Sequence, residues 1–197
     1  DSFSTDKTEA ICKAHNVTFL QHKFEGYIEQ KNYAIKQANN NYILSLDGDE
    51  ALSETLKTSI LNVKSNWKFD GYYSNRLNNY CGQWIKHSDW YPDRKLRLFK
   101  KGSGEWKGLN PHDSYTLKPG IKSGFLKGDL LHYIYRDYKE HNLKVENFST
   151  IAANSYYKHG KKSSLLKIII RPTWAFFKAY FLRLGFLDGL NGLIICV

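Results

Sequence analysis

The hydrophobic pattern changes character near residue 70. Before it, short apolar runs alternate with helical spacings. "DKTEAICKA" (6–14) predicts a helix, with Asp6 and Glu9 at capping-box spacing. "VTFLQ" (17–21) predicts a strand, "EQKNYAIKQAN" (29–39) a second helix and "NYILSL" (41–46) a short buried strand. Ser53 stands where it caps a third helix, with Leu56, Ile60 and Val63 on one face. This alternation predicts an α/β layer with a mostly parallel sheet, whose ligands bind at the carboxyl ends of strands.

Beyond residue 70, "GYYSNRL" (71–77), "RKLRLF" (94–99), "SYTL" (114–117) and "FLKGDLLHY" (125–133) read as strands. A helix then runs from Asp137, with Glu140 again at box spacing, to a stop at Gly160. In the tail, Pro172 is expected to separate two apolar helical pieces. Lys167, Arg171, Lys178 and Arg183 interrupt its apolar run, which argues against a spanning helix and for one lying at a membrane surface. The bland alternative is a helical hairpin packed on the domain or on another subunit. The expected division is a domain over 1–160 and a basic, apolar helical tail over 161–197.

The strand at 41–46 runs directly into Asp47, Asp49 and Glu50. Carboxylates are costly to bury without partners, so this cluster belongs at the strand's exit, within reach of a cation. A solvated turn is the plain alternative. Charge sharpens the picture. The net charge is +10, and no acid lies between Glu146 and Asp188, an interval holding Lys158, Lys161, Lys162, Lys167, Arg171, Lys178 and Arg183. Such asymmetry points to an anionic partner: a membrane surface, a nucleic acid or a phosphorylated substrate. Cys12, Cys81 and Cys196 are too few and too scattered for a disulfide framework or a zinc site.

Asp47-Gly48-Asp49 after a strand, with "DSFSTDKT" at the start, resembles glycosyltransferase family 2. "CGQWIKHSDWYPDRKLRLFKKG" and "GDLLHYIYRD" resemble its bacterial lipopolysaccharide core β-glucosyltransferases. The resemblance covers essentially the whole chain. It implies the GT-A fold, a Rossmann-like α/β sandwich, with the first strand and helix missing from the N-terminus. It also implies an inverting enzyme that uses Mg²⁺ or Mn²⁺ with a nucleotide-sugar donor, UDP-glucose. The acceptor would be a saccharide or lipid-linked saccharide at the inner face of the cytoplasmic membrane.

The residue roles follow from the same resemblance. Asp49 and His132 would hold the metal. Asp47 would contact the ribose or support the ion, Asp1 the uracil, and Lys31 the base or phosphates. In "GSGEWKGLNPHDSY" the family's Glu-Asp pair becomes His112-Asp113, where the similar core glucosyltransferases usually have His-Glu. Asp113 is the expected general base, with Asp93 the competitor. Trp84, His87, Trp90 and Tyr91 lie close together, and Trp84, Trp90, Tyr91 and Arg97 are the expected acceptor contacts. The alternative for Arg97 is a basic, solvated outer strand face. A capsule, exopolysaccharide or peptide acceptor would keep the chemistry. A nucleotidyltransferase is a different class with the same acidic motif, but it leaves the aromatic stretch and the tail without a role. A basic nucleic-acid-binding protein draws on the acid-free interval, yet the apolar tail suits lipid better, so no nucleic acid is expected.

Overall fold

The computed structural model describes residues 1–109 and 112–197, apart from the side chains of Leu109 and His112. The chain orders as α1 (Thr8–Ala14), α2 (Tyr27–Gln37), β1 (Tyr42–Leu44), β2 (Glu50–Leu52), α3 (Glu54–Lys64), β3 (Gly71–Tyr80), β4 (Gln83–Ile85), β5 (Asp93–Lys100), β6 (Gly104–Leu109), β7 (His112–Leu117), β8 (Ser123–Tyr135) and α4 (Tyr138–Lys158), followed by α5 (Leu165–Phe177) and α6 (Gly189–Cys196).

The α/β class is as expected, and the main sheet runs β1-β5-β3-β8-β2, with β4 paired to β3. Strands β1, β3 and β8 share one direction, while β5 and β2 run against them. The common direction is thus that of three of the five strands on this path. Hydrogen-bonded neighbours are mostly antiparallel, and β3·β8 is the parallel pair. The mixture arises because β5 returns between β1 and β3, and the short β2 closes the opposite edge.

Adjacent residues on the central strands face opposite layers, as strand geometry requires. Tyr72 and Leu98 pack with Leu56, Leu126 and Leu130, beneath the α3 face of Ile60 and Val63. Phe99 and Tyr73 pack on the other side with Trp106, Tyr115 and the α2 residues Ile28 and Ile35. The hairpin β6–β7 therefore completes the second layer, with Phe99 and Tyr115 stacked 3.6 Å apart. Ser53 caps α3 as its position predicts, accepting from the Leu56 N–H at 3.2 Å. That cap lies against β8, where Gly128 has φ 95° and a Cβ would fall 2.3 Å from the Leu56 nitrogen. Only glycine fits both the left-handed backbone and this approach.

Two expectations need correction. Residues 17–21 do not form a ladder strand. The segment meets Asp1, whose nitrogen donates to the Leu20 carbonyl and whose carbonyl accepts from the His22 N–H. Pro172 does not divide the tail, because α5 runs through it. A proline removes one helix donor. The turns on either side persist, and the Thr173 hydroxyl donates to the Ile169 carbonyl at 2.8 Å. The helix continues into a wider turn over Lys178–Leu182 and breaks at Leu184, whose φ is 57°.

After the break the tail returns to the body. Asp188 is buried, and its carboxylate accepts from the Lys86 and His87 N–H groups at 3.2 and 2.9 Å and lies 3.0 Å from His87 Nδ1. Ser88 N–H donates to the Arg183 carbonyl, and Ile194 and Ile195 pack on Tyr80 and Ile85. Burial there pushes the Tyr80 phenol up to about 12. Asp188→Ala should take the charged acceptor from the half-buried Lys86 and His87 N–H groups, at about 1–3 kcal/mol in all. Thermal unfolding should record a lower Tm, and an unchanged Tm would show that Asp188 does not fasten the tail.

Candidate active site

The link between β1 and β2 must cross the sheet. These are its two edge strands, so the chain covers about four strand spacings of roughly 4.8 Å. The six steps from Leu44 to Glu50 reach at most about 20 Å. The segment is therefore drawn along the carboxyl end of β1, and it carries Asp47 and Asp49. Ser45 N–H donates to the Arg97 carbonyl at one end, and Tyr133 N–H donates to the Asp49 carbonyl at the other, both within 2.9 Å. Asp47 and Glu50 share one partner, and Asp49 meets another.

Arg97, on β5, is buried, and its Nη2 donates to Asp47 Oδ2 at 2.8 Å and to Glu50 Oε1 at 2.6 Å. Glu50 is fully enclosed, with its second oxygen accepting from the Asp47 N–H at 3.0 Å. Arg97 was expected at the acceptor or on a solvated face. Its guanidinium instead braces the acidic segment, and Glu50, which the sequence reading left without a role, shares it.

On the opposite edge, register does the positioning. Asn78 on β3 and Glu50 on β2 both pair with His132 on β8. Asn78 Oδ1 lies 2.7 Å from His132 Nδ1 and, as an amide oxygen, can only accept. Nδ1 therefore carries a proton, and the other ring nitrogen, Nε2, faces Asp49 Oδ2 at 3.4 Å. Hydrogen bonding to His132 holds the Asp49 carboxyl below its ordinary value.

The third wall comes from α2 and the β6–β7 hairpin. Lys31 Nζ lies 3.1 Å from Asp47 Oδ1 and 2.9 Å from Asp113 Oδ2, and 4.3 Å from the centre of the Trp106 ring. Asn32 fixes that helix to the hairpin with two 3.0 Å bonds to the Trp106 backbone. The result is a cleft of about 970 Å³ that gathers Lys31, Asp47, Asp49, Arg97, Asp113 and His132. Arg76, Arg94, Lys95, Lys118 and Lys144 also line it, so cations outnumber carboxylates around the space. Such a field suits a phosphorylated ligand.

Other expected residues lie elsewhere. Asp1 does not line this cleft, and its carboxylate accepts from the Ser4 N–H and hydroxyl. Asp93 also lies outside the lining, tied to Arg76 at 2.8 Å and Lys95 at 3.0 Å. Trp84 meets the ring of Tyr133, Trp90 packs on Tyr80, and the Tyr91 hydroxyl donates to Asp129 at 3.0 Å. None of these three aromatics lines the cleft. Trp106, Lys144 and Phe148 do, although the sequence reading gave them no part. His112 as a side chain lies outside the described residues.

Comparison with known proteins places this geometry. The family model described as glycosyl transferase family 2 matches residues 1–127. The chain belongs to glycosyltransferase family 2. It is 27% identical over 207 residues to an uncharacterized glycosyltransferase of Rickettsia bellii, covering 98% of this chain and 69% of that protein. It is 28% identical over 211 residues to a second from Rickettsia felis, covering 98% and 72%. It is also 26% identical over 196 residues to the lipopolysaccharide core biosynthesis glycosyltransferase LpsC of Rhizobium meliloti, covering 96% and 71%. The family-2 match includes α2, both strands around the acidic segment, and the β6–β7 hairpin, so most of the cleft falls inside it.

Asp49 and His132 are the two residues suited to a divalent cation, and the described residues contain no cluster of three or more candidate ligands. Two ligands still fit Mg²⁺ or Mn²⁺ in such a site. Mg²⁺ commonly takes one or two carboxylates and completes its shell with water and substrate phosphate. Mn²⁺ accepts carboxylate as well as imidazole. An imidazole nitrogen and a carboxylate are donors of the right kind.

Proposed function

We propose that this family-2 glycosyltransferase is an inverting, metal-assisted enzyme. It moves glucose from UDP-glucose to a saccharide of the lipopolysaccharide core, at the inner face of the cytoplasmic membrane. The observation that carries the reading is the convergence of Asp47, Asp49, Lys31, His132 and Asp113 on one cationic cleft. The name of the LpsC relative supports the acceptor class.

In this reading Asp49 and His132 would hold the cation, whose charge would make the diphosphate a better leaving group. Asp47, fixed between Lys31 and Arg97, orients the ribose. Lys31 reaches from the acidic segment to Asp113 and meets phosphate charge that enters between them. Asp113 takes the proton of the acceptor hydroxyl as its oxygen attacks the anomeric carbon. Trp106, almost fully buried, backs that wall and holds its ring against Lys31 and Arg97.

Calorimetry of UDP and UDP-glucose, with and without Mn²⁺, tests the donor half. The parent should bind in a metal-dependent way, and Asp49→Ala should lose that dependence. Equal Mn²⁺-dependent binding by the variant would remove Asp49 from the site.

A further inference from the structure

Helix α5 lies apart from the body. Every residue from Lys161 to Ala175 is exposed, and no side chain of α5 is buried. The exposed set is strongly apolar. Leu165 is 80% exposed and Ile169 68%, with Leu166, Ile168, Ile170 and Trp174 also in the open. An apolar surface of this kind on a well-formed helix marks an interaction site.

Continuity through Pro172 gives the helix two sides. Lys167, Arg171 and Lys178 stand at i, i+4 and i+11, which returns each to nearly the same face at 3.6 residues per turn. Trp174, at i+7, joins this cationic side. Leu165, Ile169 and Phe176 fall opposite. Had Pro172 divided the tail into two pieces, the stripe would not have formed. Lys178 is tied to Asp89 at 3.3 Å, so Lys167 and Arg171 are the members directed away from the body. Lys158, Lys161 and Lys162 precede them without an intervening acid.

The second arm continues the surface. The bend between the two arms is 73°. Asp188, Gly185 and Gly192 are buried, while Phe186, Leu187 and Leu190 face outward. One arm is fastened to the body, and the other projects from it. No single described helix is long and apolar enough to cross a membrane, although the bent pair together has the required length and composition.

We infer that residues 161–190 form a docking surface for an anionic lipid bilayer, with α5 lying in the interface. The argument is charge complementarity joined to exposed apolar area. Lipid headgroups neutralise the cations, and the opposite helix face enters the acyl boundary. The long Lys167 and Arg171 side chains reach back to the headgroups. Trp174 suits the same depth. The assignment rests on α5 and its charge pattern, independently of the donor reading.

Flotation of the full chain with vesicles tests it, using phosphatidylcholine alone or mixed with phosphatidylglycerol. The protein should float more strongly with the anionic mixture, and carbonate should release it. Each basic residue near such a surface contributes about fivefold, so Lys167→Glu/Arg171→Glu should weaken anionic binding roughly 25-fold or more. Leu166→Ser/Ile169→Ser should weaken binding to both vesicle types, since it removes insertion. Both variants alter exposed positions, and circular dichroism and UDP binding monitor the body. Failed UDP binding with intact flotation would count against the donor reading alone. Equal flotation of parent and variants would overturn the lipid assignment, as would retention after carbonate. Self-association without lipid, abolished by the apolar variant, would also overturn it in favour of a second copy of this chain.

Discussion

Asp113→Asn should leave UDP-glucose binding nearly unchanged and reduce transfer by about 10²–10⁴-fold, the range of a lost general base. The reason lies in its setting. The Asp113 side chain is 8% exposed and sits 2.9 Å from Lys31, so an amide of the same size keeps an oxygen toward the ammonium. What disappears is the capacity to take a proton. Transfer of labelled glucose to a core saccharide measures the effect, with donor affinity followed separately. Asp113→Glu should recover much of the rate, because it restores the carboxylate. Asp93→Asn provides the contrast. Asp93 is engaged by Arg76 and Lys95 outside the cleft, so its loss should leave most of the transfer. If Asp113→Asn turned over like the parent while Asp93→Asn did not, the base would be Asp93.

Arg97→Met should have the largest effect on stability. Glu50 is fully enclosed, and Arg97 Nη2 is its 2.6 Å partner. Arg76 is farther away, at 3.8 Å. Removing one member of a buried ion pair leaves an uncompensated charge and costs about 3–5 kcal/mol. For a chain of this size that corresponds to a Tm lower by roughly 6–20 °C. Glu50→Gln combined with Arg97→Met should recover part of the loss, because the stranded carboxylate is gone. Calorimetric melts of the two singles and the double give the coupling. Purely additive effects would mean that the two side chains do not act as a pair.

The sequence displayed some of this arrangement and concealed the rest for physical reasons. The step from Leu46 into Asp47 and Asp49 was legible because apolar strand and acid adjoin without a break. Ser53 and Asp137 announced their helices through residue type, and both accept the expected N–H. Arg97 was harder. "RKLRLF" alternates as a half-exposed strand does, yet β5 is covered on both faces, and its inward arginine is neutralised by acids 47 and 50 positions away. Such compensation is absent from a local pattern. Strands β2 and β4 are three residues each, too short for periodicity, and β6 carries two glycines, Gly104 and Gly108, that blur its alternation. Trp84, Trp90 and Tyr91 looked like a sugar platform because spacing alone does not say which way they face. Trp90 instead packs on Tyr80, and Tyr91 bonds Asp129.

The Asp188 contact also sets an order of events during synthesis. Its partners at Lys86 and His87 leave the ribosome about a hundred residues earlier. Until Asp188 arrives, their N–H groups have only water, and the segment between β4 and β5 lacks its fastening. The sheet strands β1 to β8 are all made by then, so the central layer is free to assemble first. Docking of the C-terminal arm becomes the late step, one that closes a long loop and resists initiation from within the N-terminal half. A ribosome-bound chain stalled before residue 188 should therefore show a protected sheet and a protease-sensitive segment around residues 86–91.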